Sequence, residues 1–181
     1  MRKTKRPKLA TNCAEGRLDR GPPPPYRLVV SPFNAGKEHV MQRHATAVWK
    51  GDLRGGTGTL DTQSGVLKGS AYSFKGRFED ESGKAGTNPE ELIAAAHAGC
   101  FAMQLSHFLA ENGTTAERLE AKAVVTVIPG TGITESALTL TAKVPGIDKA
   151  KFQELAEKAK ANCPVSQALG AIKVTLDAKL A

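Results

Sequence analysis

Cysteine, aromatic residues and long apolar runs are all scarce in this 181-residue chain, and each shortage closes off a class of protein. The three cysteines stand at Cys13, Cys100 and Cys163, with no CxxC pair and no Cys/His knuckle spacing. That argues against a structural zinc site. An odd count argues against a disulfide scaffold and for a reducing compartment, which points to the cytoplasm. Aromatic residues make up 5% of the chain, so Val, Ile, Leu and Ala must fill the core. The basic start Arg2-Lys3-Thr4-Lys5-Arg6 is not followed by the roughly 7–15 apolar residues of a secretion signal. The longest apolar stretch, Leu92–Phe101, is interrupted by His97 and falls far short of the roughly 20 residues of a membrane span. A soluble protein with no membrane partner is expected.

The net charge of +7 suggests nucleic acid until it is located. Residues 1–40 hold nine Lys/Arg and three Asp/Glu, while the remainder is close to neutral. The same forty residues hold six of the ten prolines, including the run Pro22–Pro25. Such a segment favours polyproline II and cannot join a core. Two origins stay open: a flexible basic arm, or a gene product that starts at Met41. Residues 41–181 form the folded domain on either reading, and its even charge argues against nucleic acid as its partner.

From Ala45 onward the pattern becomes regular. Ala45–Lys50, Thr57–Asp61 and Val66–Ser70 read as short strands between glycine turns. Tyr72–Glu79 is ambiguous between strand and loop. Thr87-Asn88-Pro89-Glu90-Glu91 is a helix start: a capping residue, an early proline and acids in the first turn. The helix runs from Pro89 to Glu111 and closes at Asn112-Gly113. Apolar residues cover most of its circumference, so it is expected to be buried. Leu119–Ile128 and Ile133–Val144 alternate with period two and read as a hairpin. Asp148 caps a second helix that ends near Asn162-Cys163-Pro164, a short helical turn follows, and Ile172–Leu180 is a last strand. Strands joined by hairpins, with helices between, give an α+β fold.

Cys100, inside the buried helix, reads first as a small core residue. Cys163 lies at a helix junction; if Asn162 caps the following turn, the dipole there favours a thiolate. A disulfide between the two requires α-carbons within about 7 Å, on which their spacing is silent. Glu90 reads as a helix N-terminal acid. Ten helical residues put it about 15 Å from Cys100, so it acts on that sulfur only through an intermediary, such as an arginine, or across a subunit interface. Arg77 reads as a surface charge, or as a fixed guanidinium able to stabilise a thiolate. His97 and His107 flank Cys100 on the same helix, which leaves a Cys/His pair or a metal site as a weaker option. Cys13 reads as an incidental thiol.

The stretch Thr87-Asn88-Pro89-Glu90-Glu91-Leu92-Ile93-Ala94-Ala95-Ala96-His97-Ala98-Gly99-Cys100-Phe101 closely resembles the central helix motif of the OsmC/Ohr peroxidases. Asn162-Cys163-Pro164-Val165-Ser166-Gln167-Ala168-Leu169 resembles their second cysteine motif. Ser64-Gly65-Val66-Leu67 and Val144-Pro145-Gly146-Ile147-Asp148 also look like the family and favour its OsmC branch. The resemblance runs from Gln42 to the C-terminus. It implies an intertwined homodimer in which antiparallel sheets wrap around paired central helices, with active sites at the interface. It places Cys100 on the peroxidatic cysteine and Cys163 on the resolving one. Arg77, in Gly76-Arg77-Phe78-Glu79, falls on the arginine that sets the thiolate, and Glu90 on that arginine's carboxylate partner.

The implied activity is reduction of organic hydroperoxides, and more weakly of hydrogen peroxide, in oxidative or osmotic stress defence. Cys100 attacks peroxide, its sulfenic acid condenses with Cys163, and an external dithiol, of which a lipoyl group is one candidate, restores both thiols. No metal, haem or flavin enters. Three rival readings stay open: a redox-sensing or small-molecule-binding module with little turnover, nucleic-acid binding through the basic arm, and a Cys/His metal protein.

Overall fold

The computed structural model describes residues 40–181. The reading of residues 1–40 as a basic arm lies outside them, apart from Val40.

Three antiparallel strands open the described chain: β1 (Ala45–Lys50), β2 (Thr57–Thr62) and β3 (Ser70–Ser73), side by side in that order. Trp49 and Tyr72 meet across β2 with ring centroids 5.3 Å apart. They do so over Gly58, where a Cβ would run into both rings. The expected strand at Val66–Ser70 is displaced. Gly65 and Gly69 take positive φ, and the Gly69 N–H donates to Asp61 Oδ1 at 2.9 Å, so this stretch is a tethered loop and the strand begins at Ser70.

The ambiguous segment after β3 is a single helical turn, α1 (Phe74–Phe78). Ser73 caps it by accepting from the Gly76 N–H at 3.0 Å, and Phe74 stacks on Phe78 at 5.0 Å. One turn is too short to show helical periodicity in sequence. Gly86, at φ 121°, then lets Thr87 donate to the Ala71 carbonyl at 2.9 Å, which hangs the next helix from the edge of β3.

Helix α2 (Pro89–Glu111) has the expected bounds. Asn88 accepts from the Glu91 N–H at 2.8 Å, Pro89 needs no donor partner there, and Gly113 ends the helix in the left-handed region. The expectation that all of α2 is buried fails within one chain. Phe101, Leu105, Phe108 and Leu109 are buried, whereas Ala95, Ala96, Gly99 and Met103 face outward, Met103 at 76% exposure. In length and composition the whole of α2 also exceeds the apolar stretch read from sequence and would suit a membrane span. Here it packs instead on β4 (Arg118–Ile128) and α3 (Lys149–Asn162).

Strand β4 forms the expected hairpin with β5 (Gly132–Lys143). The chain crosses over through α3 and α4 (Pro164–Ala168) to β6 (Lys173–Leu180), which pairs with β5 in parallel. The second sheet is therefore mixed rather than antiparallel, because a helical crossover returns the chain to the same end of the sheet. Its inward positions Leu138, Leu140 and Ala142 meet Phe101, Leu105 and Leu109 of α2 and Phe152, Leu155, Ala156 and Ala159 of α3 in one core.

Candidate active site

Arg77 and Glu90 meet as a fork. Arg77 Nε donates to Glu90 Oε2 at 3.0 Å and Nη2 to Oε1 at 2.6 Å. Arg77 comes from α1, where its guanidinium also lies 4.6 Å from the Phe78 ring centroid. Glu90 comes from the first turn of α2 and is nearly buried. A two-point fork fixes the plane of the guanidinium as well as its position. The N-terminal end of α2 adds a favourable field for the carboxylate.

Cys100 and Cys163 are both free thiols, Cys100 half-buried and Cys163 fully buried, and they lie close enough for Cys163 to influence the Cys100 thiol. Burial pushes the Cys100 thiol above its ordinary range. The Val165 N–H nearby pulls the other way, and the neighbouring Cys163 adds to the rise. The source of that N–H corrects the sequence expectation. Asn162 does not cap the second turn: it is the last residue of α3, and its Nδ2 donates to the Lys158 carbonyl at 2.8 Å. Cys163 is itself the N-cap of α4 and makes no side-chain capping bond, and Pro164 at the first helical position has no N–H. The first free donor of α4 is thus Val165. Cys163 does stand at a helix N-terminus, and the Val165 N–H of that end favours the Cys100 thiolate.

His97 is fully buried. Its Nδ1 is 2.7 Å from Ser136 Oγ on β5 and its Nε2 is 2.8 Å from Ser166 Oγ on α4. Burial pushes the imidazole below the ordinary histidine range. Both ring nitrogens are occupied by hydroxyls, which leaves neither for a metal or for Cys100. His107, instead of joining them, is exposed and pairs with Glu111 at 3.3 Å. At 3.6 residues per turn and 1.5 Å per residue, ten positions turn His107 about 80° from His97 and carry it about 15 Å along the axis. Among the described residues no cluster of three or more His, Cys, Asp or Glu is placed to hold a metal.

The four residues singled out in sequence thus come together as two pairs, Arg77 with Glu90 and Cys100 with Cys163. Within one chain α2 holds the pairs apart, about 15 Å from Glu90 to Cys100 along the axis. Three contributors escaped the sequence reading: the Val165 N–H, Ser136 and Ser166. Pro164 marks the first, since a proline at the start of a helix passes the donor role to the next residue. Ser136 carries a subtler mark, a hydroxyl on the inward register of a strand whose other inward positions are Leu138, Leu140 and Ala142.

Comparison with known proteins bears on the whole of this arrangement. Residues 80–177 match the family of OsmC-like proteins. The chain is 48% identical over 144 residues to the peroxiredoxin OsmC of Escherichia coli (strain K12), covering 78% of this chain and 98% of that one. It is 32% identical over 129 residues to the organic hydroperoxide resistance protein OhrB of Bacillus subtilis (strain 168), covering 70% and 93%. The crystal structure of an organic hydroperoxide resistance protein OsmC from Legionella pneumophila superposes with a TM-score of 0.59 at 25% identity, over 78% of this chain and 99% of that one. With its α+β architecture and both cysteine motifs inside the matched span, the chain belongs to the OsmC/Ohr family.

Proposed function

We propose that this protein is a cysteine-based peroxidase acting on organic hydroperoxides, with Cys100 as the peroxidatic cysteine and Cys163 as the resolving one. The observation that carries the reading is the juxtaposition of two free thiols in one core, beside the N-terminus of a helix. The relatives' names, peroxiredoxin and organic hydroperoxide resistance protein, support the same chemistry.

The Cys100 thiolate attacks the distal oxygen of the hydroperoxide. The O–O bond breaks and the alkoxide leaves with a proton as alcohol. Cys100 becomes a sulfenic acid. The Cys163 sulfur, already in contact, attacks that sulfur; water leaves and a disulfide forms. An external dithiol, such as a lipoyl group, returns both thiols by exchange. No metal or organic cofactor enters this cycle.

The first step needs thiolate, which burial disfavours at Cys100. A nearby guanidinium offsets that cost, and in one chain Arg77 is held by Glu90 away from the sulfur. We assign the missing contact to a second copy: in a homodimer paired through the outward apolar face of α2, Arg77 of one protomer serves Cys100 of its partner. That face, with Ala95, Ala96, Gly99 and Met103, supports the pairing. Mixing Cys100→Ser with Arg77→Ala protein tests it. Exchange of subunits restores part of the peroxidase activity if the site is shared, and none if each chain is self-contained. A cytoplasmic role in oxidative or osmotic stress defence fits the odd cysteine count and the relatives' names.

The direct test is stopped-flow oxidation of the reduced protein by cumene hydroperoxide. Fast oxidation is expected, lost in Cys100→Ser, with sulfenic acid trapped by dimedone in Cys163→Ser. Slow oxidation indifferent to Cys100 sinks the peroxidase and leaves a redox-sensing or binding module, the reading that the raised Cys100 thiol favours in a lone chain.

A further inference from the structure

Helix α4 has little to hold it in place by itself. It is five residues long, has no side-chain cap and buries only Ser166. A helix of one turn has no intrinsic stability to speak of, so its neighbours set its position. Yet this turn carries two of the groups on which the thiol chemistry rests. Cys163 is its N-cap, and the Val165 N–H is the one that favours the Cys100 thiolate. The buried Ser166 hydroxyl, three residues after Cys163, is bound to His97 Nε2 at 2.8 Å. His97 stands one turn before Cys100 on α2, and its other nitrogen is bound to Ser136 on β5 at 2.7 Å. Two groups one turn apart on α2 therefore face one turn of α4, at Ser166 and at Val165.

We infer that His97 is a positioning residue of the thiol site, clamping the first turn of α4 between α2 and β5 so that the Val165 N–H stays on the Cys100 sulfur and Cys163 stays within its reach. The inference rests on the cysteine roles given above and adds a residue that touches neither peroxide nor sulfur. A purely apolar anchor at position 166 would bury as much surface but would let the turn slide or rotate. Hydrogen bonds at both ring nitrogens fix direction as well as distance. The imidazole suits this because it is rigid and, when neutral, donates at one nitrogen and accepts at the other, while each serine hydroxyl rotates to match. Burial, which holds His97 neutral, keeps the ladder in that donor–acceptor order. In the fully satisfied ladder no buried polar atom lacks a partner among the described residues, so severing one rung strands the next.

The experiment compares wild type, Ser166→Ala, Ser136→Ala and Ser166→Thr in the full chain. The pH midpoint of Cys100 alkylation is read by mass spectrometry of the Cys100 peptide, and the lifetime of the sulfenic acid by dimedone trapping after a peroxide pulse. Ser166→Ala is expected to move the alkylation midpoint upward and to lengthen the sulfenic acid lifetime about tenfold, the equivalent of one pK unit. Ser166→Thr, which keeps the hydroxyl, is expected to restore both. A folded Ser166→Ala with a lower melting temperature but wild-type midpoint and lifetime overturns the inference, since that is what a merely structural histidine gives. Should Ser166→Ala not fold, Ser136→Ala cuts the ladder at β5 and leaves the α4 sequence intact. There the same shifts in smaller measure support the inference, and wild-type values overturn it. Alkylation needs no peroxide, so a chain that fails to react with hydroperoxide at all sinks the peroxidase reading, while the alkylation midpoints still decide the positioning role.

Discussion

Each sheet has three strands, but they rest on different foundations. The largest fully buried side chains among the described residues, from His97 and Phe101 to Cys163, all belong to α2, to α3, to the junction of α3 and α4, or to β5 of the second sheet. The first sheet has its Trp49–Tyr72 ring contact and leaves Val48, Leu53 and Val66 exposed, Val66 at 84%. The two halves of the candidate site divide along the same line. The thiols sit on elements that share a core, whereas Arg77 sits on a one-turn helix at the end of the first sheet. Its tie to α2 is the fork to Glu90. In the proposed mechanism, the groups that meet sulfur to sulfur are thus built on close packing, and the group assigned to supply charge is held by two directed hydrogen bonds.

The contrast is sharpest in stability. Leu105→Ala, at a fully buried position of α2, is expected to lower the free energy of unfolding by about 2–5 kcal/mol, through lost burial and a residual cavity. Leu53→Ala, at 70% exposure beside the first sheet, is expected to stay within about 0.5 kcal/mol. Urea denaturation measures both. Equal losses would mean that the first sheet is as firmly founded as the second, and the comparison would collapse.

Charge at the thiol comes next. Arg77→Lys keeps a positive charge but loses the two-point fork, and lysine does not replace arginine at such a site. Oxidation of Cys100 by cumene hydroperoxide is expected to slow about 10–100-fold, the scale of misplacing a group that acts by position. Glu90→Gln, which weakens the fork and leaves the arginine, is expected to fall between Arg77→Lys and wild type. The pH profiles carry the sign. Thiolate rises with pH, so removing its cationic partner moves the profile upward. An unmoved profile in Arg77→Ala, which removes the charge altogether, would break the assignment of Arg77 to the sulfur.

Much of this was legible before any coordinates. The start of α2 was plain because Asn88, Pro89, Glu90 and Glu91 each satisfy a local demand of a helix terminus, and the hairpin β4–β5 because alternation reports a half-buried strand. The pairing of Arg77 with Glu90 and of Cys100 with Cys163 came from resemblance, since neither spacing constrains a distance. What escaped were features decided by neighbours. α1 is one turn long, so its sequence carries no period. β6 is parallel because of the crossover before it, not because of its own residues. The donor facing Cys100 belongs to the backbone of Val165, whose side chain says nothing of it. The outward face of α2 looked like core because composition reports apolarity without saying which molecule covers it.

The smallest expected effect tests the well-founded half from within. His97 is held below its ordinary titration range by burial, so the folded protein binds its proton less readily than the unfolded chain. Stability from this group is fully present above the unfolded imidazole value of about 6.5, and is lost as pH falls through that value toward the depressed folded one. Melting temperature is therefore expected to decline from pH 7 toward pH 5 in wild type, and to decline less steeply in His97→Gln, whose amide does not titrate. His107, exposed beside Glu111, is the same in both proteins and cancels in the comparison. Parallel declines in the two proteins would show that protonated His97 is accommodated in place, with both serine hydroxyls turned to accept. The buried ladder would then tolerate a charge, and the second sheet and its helices would be less rigidly specified than their packing implies.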